Sequence, residues 1–218
     1  HGVSMLMDYE QSMQKGKLNL RARPKVVRES PVTALIDADA GLEIVVANGD
    51  ATGHVIDGKT HVGQWSTAFG RYVCVADLDG DGLGEVVAGF AWTDMIVYEG
   101  DTHAVRYTVP IDADLAAVGA ADVDDNGTLE LLYGDGQWGS VHVLNGSTGA
   151  PLWEVTNPEH SVTDFAVGDV DGDGVRDIVW GAGFTSSGPD YLFVADGVTH
   201  AIEWQSLDIS GPFYGLDY

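Results

Sequence analysis

Positive charge is scarce in this chain: 10 lysines and arginines stand against 34 aspartates and glutamates, a formal net charge of −24. Such a surface repels the phosphates of nucleic acids and the headgroups of anionic lipids, so neither is expected as a partner. Cations are attracted instead. Cys74 is the only cysteine, which rules out an intrachain disulfide and leaves cysteine usage silent about compartment. No apolar run approaches the ~20 residues that cross a bilayer, so direct membrane insertion is not expected. The residues after His1 also lack the basic-then-apolar pattern of a signal peptide. Proline is sparse at 7 residues while glycine reaches 29, a balance that fits many tight turns between short strands and neither collagen nor disorder.

The few bases are gathered at one end. Residues 1–31 hold Lys15, Lys17, Arg21, Arg23, Lys25 and Arg28 against Asp8, Glu10 and Glu29, leaving a strongly acidic remainder. This segment reads either as a poorly ordered leader or as a basic arm able to clamp an acidic body, its own or a neighbour's.

Self-comparison shows a repeat. ADLDGDGLGEVVAG (76–89), ADVDDNGTLELLYG (121–134) and GDVDGDGVRDIVWG (168–181) follow one pattern, and IDADAGLEIVVANG (36–49) reads as a shortened copy. The first aspartates, Asp37, Asp77, Asp122 and Asp169, are 40, 45 and 47 residues apart. After each copy comes a second shared string: HVIDGKTHVGQW (54–65), IVYEGDTHAVRY (96–107), VHVLNGSTGAPLW (141–153) and FVADGVTHAIEW (193–204). These read as a strand, a two-residue Asp-Gly, Glu-Gly or Asn-Gly hairpin turn, and a strand ending in an aromatic.

One unit therefore contains four short strands, exemplified by 71–76, 85–89, 95–98 and 105–109. Runs such as EVVAG and ELLYG are apolar on consecutive residues and must be covered on both faces. Four short strands in about 45 residues, without helical periodicity, specify an all-β fold: a β-propeller of four-stranded antiparallel blades. The units fall at approximately 32–67, 68–110, 111–157 and 158–210, with 211–218 as the opening of a fifth. Unpaired sheet edges are sticky. The array is accordingly expected to close on itself, to be completed by another chain, or to form a homo-oligomer.

The acidic strings carry the chemistry. Counting Asp77 as position one, Asp79, Asp81 and Glu85 take positions three, five and nine. A glycine, Gly82, permits a sharp bend at six, and Leu83 can offer its carbonyl at seven. This is an all-oxygen cage of the size Ca²⁺ prefers. The same reading assigns Asp122, Asp124, Asn126, Thr128 and Glu130 to a second cage, and Asp169, Asp171, Asp173, Val175 and Asp177 to a third. Asn126 brings no charge, so that cage should bind more weakly. The copy with Asp37, Asp39 and Glu43 is expected to be empty, giving about three calcium ions. An EF-hand is excluded, because its twelfth position would be Ala88, Tyr133 or Trp180.

The string FGRYVCVADLDGDGLGEVVAGF (69–90) resembles the FG-GAP (VCBS-type) repeat, the calcium-bearing blade of integrin α-subunit propellers and many bacterial surface proteins. The later units keep the loop and following strand without the Phe-Gly pair. The resemblance implies a propeller, calcium used for rigidity, an extracellular or cell-surface location, and a protein or glycan ligand. The hairpins with terminal tryptophans also resemble blades of quinoprotein-type propellers.

Other residues carry plainer readings. Trp92, Trp138 and Phe184 share a loop position and are assigned to packing against the next blade, with ligand stacking as the alternative. Trp65, Tyr107, Trp153 and Trp204 are read as packing residues. His61, His103 and His200 alternate with Gly149, which points to a left-handed backbone rather than a metal cluster. No catalytic constellation stands out, and the chain is read as a non-enzymatic interaction or structural module. The alternatives are an accessory or catalytic propeller of a polysaccharide-degrading, lyase-like enzyme, and a subunit that self-assembles through its N-terminal arm.

Overall fold

This computed structural model describes residues 32–48, 52–183 and 188–209, with 213, 215 and 216; the basic segment 1–31 and Phe184 lie outside the described residues. Among the described residues there is no helix, and the strands form four antiparallel sheets of four. Blade 1 comprises β1 (Val32–Ala34), β2 (Glu43–Val46), β3 (Thr52–Asp57) and β4 (Gly63–Ala68). Blade 2 comprises β5 (Tyr72–Ala76), β6 (Glu85–Gly89), β7 (Asp94–Tyr98) and β8 (Val105–Pro110). In blade 3 these are β9 (Leu115–Ala121), β10 (Glu130–Asp135), β11 (Ser140–Asn145) and β12 (Pro151–Thr156). Blade 4 has β13 (Val162–Gly168), β14 (Asp177–Ala182), β15 (Tyr191–Asp196) and β16 (Ile202–Gln205).

Each sheet is a simple meander, so strand order in space equals order in sequence. The first strands of successive blades pack on one another, β1 on β5, β5 on β9 and β9 on β13, which is the radial arrangement of a propeller.

The core lies between blades rather than within them. Val45, Val55 and Phe69 of the first blade side meet Val73, Val86 and Ala88. Cys74, Val87 and Met95 meet Leu115, Val118 and Leu131. Leu132, Val141 and Val143 meet Phe165, Ile178 and Trp180. Each fully buried side chain of this size stabilises the stack by roughly 1.5–3 kcal/mol. This is why β6, flanked by blades on both faces, is buried at every residue. Cys74 sits inside this packing, where burial pushes its thiol up to about 12. It is a core residue, chemically quiet.

A second set of contacts ties each outer edge to the next blade. The ring of Trp65 stacks on His103 of blade 2, with centroids 4.5 Å apart and planes 5° from parallel. Trp153 stacks on His200 of blade 4 at 4.0 Å and 11°. Both histidines have φ near 60°, as does His61, and Gly149 stands at 71°. The histidine–glycine exchange thus follows from the left-handed backbone. At Gly149 a side chain is also sterically barred, because its Cβ would come within 2.5 Å of the Tyr107 ring. Trp204 differs from its three counterparts: it is 51% exposed.

The hairpins correct one expectation from sequence. They are not two-residue turns. Asp57 N–H pairs with Val62 O and His61 N–H with Asp57 O, so four residues lie in the loop and the positive φ falls on its last member. The glycine of the Asp-Gly pair is needed for closeness instead. A Cβ on Gly100 would strike the carbonyls of Gly84 and Ile36, and one on Gly197 would meet the carbonyls of Arg176 and Val123.

The loops between the second and third strands correct another. Trp92 and Trp138 are 55% and 66% exposed; Trp138 meets His160 of the next unit edge-on at 5.5 Å, so packing against a neighbouring blade covers only part of these rings. Trp92 also adopts φ 65°, a costly conformation for a bulky residue.

Candidate cation-binding loops

The strand pairing fixes the register of the four acidic loops. Ala34 lies opposite Glu43, Ala76 opposite Glu85, Ala121 opposite Glu130 and Gly168 opposite Asp177. The residue that follows each first strand is therefore Leu35, Asp77, Asp122 or Asp169. The first loop is not shortened, as its sequence suggests; it is full length with Leu35 in place of the first aspartate. Asp37 and Asp39 then hold positions three and five, and Glu43 holds nine.

Within each loop the carboxylates organise the backbone. Asp77 accepts Gly80 N–H at 2.8 Å and Gly82 N–H at 3.0 Å. Asp169 does the same for Gly172 and Gly174, and Asp122 for Asn126 and Gly127. The sharp bend at position six is real: φ is 97° at Gly82, 89° at Gly127 and 93° at Gly174. Position three accepts the N–H of position five, as Asp79 does from Asp81. Asp81, Asn126 and Asp173 in turn accept the N–H of Leu83, Thr128 and Val175.

The closing acid is held from behind. Glu43, Glu85, Glu130 and Asp177 are buried, and each accepts the N–H of position two: Ile36 at 2.7 Å, Leu78 at 2.7 Å, Val123 at 2.8 Å and Val170 at 2.9 Å. One oxygen is thereby tied down and the other is left for the loop. In the first blade that second oxygen, Glu43 Oε1, is buried without a hydrogen-bond partner.

Three carboxylates converge in every loop, with oxygens within 4.8 Å of one another: Asp37, Asp39 and Glu43; Asp77, Asp79 and Glu85; Asp122, Asp124 and Glu130; Asp169, Asp171 and Asp177. Asp81 and Asp173 fall outside these groups, so positions one, three and nine form the tight cluster in the later loops. Burial pushes both Glu85 and Glu130 up to about 7, helped by the neighbouring aspartates and opposed by backbone hydrogen bonds and, at Glu85, by the Arg106 charge. Burial also raises Glu43 and Asp177. Converging acids that resist ionisation are the counterpart of a cation: a divalent ion would supply the charge that the protein interior withholds.

Sequence reasoning missed the side chains that face these clusters from outside. Arg106 Nη1 donates to Asp79 Oδ2 at 2.7 Å and to Glu99 at 3.0 Å, while its Nε donates to Ser147 O of the next blade. Gln64 Nε2 donates to Asp37 Oδ2 at 2.7 Å. Arg176 pairs with Asp125 of the preceding blade at 2.9 Å.

The FG-GAP repeat family model matches residues 161–192, the inner half of blade 4 with its acidic loop. That match lies on a unit without the Phe-Gly pair, not on 69–90, where the motif reads most fully. In solved structures the same architecture recurs. BBS1N, crystallised in complex with ARL6DN, superposes with a TM-score of 0.66 at 11% identity, covering 88% of this chain and 63% of that one. Blade 4 thus carries an FG-GAP repeat, and the array as a whole has a propeller architecture. The quinohemoprotein alcohol dehydrogenase of Comamonas testosteroni aligns at a TM-score of 0.53 and 12% identity, over 87% of this chain and 36% of that one. The V. cholerae biofilm matrix protein Bap1 aligns at 0.50 and 18%, over 89% and 42%. The FG-GAP-type array here thus spans between about a third and two thirds of the chains it resembles. No curated protein matches it in sequence.

Proposed function

We propose that this chain is a calcium-binding, non-enzymatic interaction module whose blades are made rigid by ions in their acidic loops. The observation that carries the reading is the repeated cluster: three carboxylates within 4.8 Å, with a buried closing acid at one fixed register in every blade. The donors are all oxygen and the loops are curled by glycines, which suits Ca²⁺ better than the smaller, strictly octahedral Mg²⁺. The orphaned Glu43 Oε1 fits an ion as well, which extends the reading to the first loop. Asp81, Asn126 and Asp173, with the carbonyls of Leu83, Thr128 and Val175, would complete the shells of the later loops.

The exposed rings of Trp92 and Trp138 support a protein or glycan ligand on the faces that carry them. FG-GAP repeats are typical of extracellular proteins, and this supports an extracellular or cell-surface setting, where calcium is plentiful. Among the described residues no helix is long and apolar enough to cross a membrane.

Thermal melts with and without a chelator test the proposal. Calcium at about a hundred times its dissociation constant should stabilise each occupied site by about 2.7 kcal/mol. Chelation is therefore expected to lower the melting temperature by several degrees, and identical melts would refute the reading.

A further inference from the structure

We propose that one residue in each outer strand, raised on a β-bulge, grades the cation affinity of the acidic loop beside it. The inference rests on the calcium reading above and concerns how the sites differ. In all four blades the pairing of the third and fourth strands slips at the same place. Val55 faces Trp65 but Ile56 faces Gly63, which leaves Gln64 as the extra residue. Val97 faces Tyr107 and Tyr98 faces Val105, leaving Arg106. The same slip leaves Leu152 between Pro151 and Trp153, and Glu203 between Ile202 and Trp204. A bulge re-aims one side chain out of the regular alternation, and its recurrence at one site marks a built feature.

Two of the re-aimed side chains bond the third position of their own loops. Gln64 bonds Asp37 and Arg106 bonds Asp79, both at 2.7 Å. Glu203 shares a hydrogen bond with the closing acid Asp177 and lies beside Asp171, along a groove that Val170 and Trp204 also line. Leu152 stands at the same bulge in blade 3 and brings no charge. The four loops therefore carry a neutral donor, a cation, a hydrocarbon and an anion at one equivalent place.

The consequences for an incoming ion differ in sign. In blade 2 both oxygens of Asp79 are engaged, Oδ1 by Asp81 N–H and Oδ2 by the Arg106 guanidinium. A divalent ion there must displace a resident positive charge or sit beside it. In blade 4 Glu203 adds a further carboxylate to Asp169, Asp171, Asp173 and Asp177. The loops of blades 2 and 4, which carry carboxylates at the same four positions, thus separate: blade 4 holds the tightest site and blade 2 is held back by its own arginine. A unit charge a few Å from a divalent ion shifts binding by roughly tenfold or more.

Calorimetric calcium titrations of the full chain test this, comparing wild type with Arg106→Gln and Glu203→Gln. Arg106→Gln should tighten one of the weaker sites by roughly tenfold, a gain that unfolding cannot imitate. Glu203→Gln, an exposed and nearly isosteric change, should weaken the tightest site by a similar factor while the melting curve in chelator stays in place. Unchanged stepwise affinities in both variants, with calcium heats retained, would overturn the grading and leave the calcium reading intact. An absence of calcium heat in all three proteins would overturn both.

Discussion

In the absence of metal, the buried closing acids make the protein less stable as pH rises through neutrality. Glu85 and Glu130 ionise near 7 in the fold, against an ordinary value of 4.5. A carboxyl whose folded value is raised binds its proton more tightly in the native state than in the unfolded one. Its stabilising contribution is whole below about 4.5 and is lost as pH climbs towards 7. Each shift corresponds to about 3 kcal/mol at face value. Relaxation of the loops and entry of water reduce the pair to about 3 kcal/mol in total. For a chain of this size that is roughly 6–12 °C in melting temperature between pH 5 and pH 7.5. The paired hairpin acids Asp57 and Asp196 are shifted the other way, and their effect falls below their ordinary value of 3.8, outside this window. The assay is a series of thermal melts across that range in chelator, repeated in saturating calcium. On the proposed reading calcium would hold the ionised carboxylates, so the downward slope should vanish or reverse in its presence. The double variant Glu85→Gln, Glu130→Gln should flatten the chelator series and melt higher than wild type at pH 7.5. A chelator series that is level or rises towards neutrality would refute the argument.

The contacts between blades give two further expectations. Trp65→Ala removes a ring that stacks on His103 and packs on Phe69, and should cost about 3 kcal/mol in chemical denaturation; Trp204→Ala, at an exposed ring, should cost under about 1 kcal/mol. Gly197→Ala would drive a methyl into the carbonyls of Arg176 and Val123, and should destabilise by about 2 kcal/mol or more, whereas Gly63→Ala, with open space around it, should be nearly silent in the same melts.

The features legible in the sequence were those set by neighbours along the chain. The strand Glu85–Gly89 is marked by its consecutive apolar residues, and the aspartates at alternate positions of 77–81 curl a loop by chemistry local to it. Features set across strands were not legible. Aligning aspartates by identity slides the first loop by two residues, because Leu35 has replaced the aspartate that anchors the others; only the pairing of Ala34 with Glu43 restores the register. The Asp-Gly pair at 57–58 reads as a tight turn from its dihedral preferences. Its glycine is instead chosen by the Leu42 carbonyl lying against it, from an earlier strand connection and not from the turn itself. Arg106 was silent for the same reason. One before an aromatic in a strand, it belongs to the ordinary alternation until the bulge turns it towards Asp79.

These cross-strand facts put the acidic clusters, and any ion they hold, at a joint. The N–H of position two is held by the closing acid in each loop, and the body of that same residue meets the hairpin glycine of the next blade: Ile36 against Gly100, Leu78 against Gly146, Val123 against Gly197. All three are buried, while Val170, at the equivalent position in blade 4, is 40% exposed beside the exposed Trp204. A cation that fixes the closing acid therefore fixes position two, and position two seats the neighbouring blade. The inner faces are joined in parallel fashion. Leu115 lies over Gly89, Val162 over Gly134 and Phe213 over Gly181, so the residue that caps blade 4 stands where the first strand of a further blade would begin. Calcium bound in this arrangement would act on the packing of blade against blade, not only on the loop that binds it. Losing the ion should then loosen the interfaces between blades before it melts the sheets, and amide exchange in chelator should rise first at the hairpins around Gly100, Gly146 and Gly197 and last in β6 and β10.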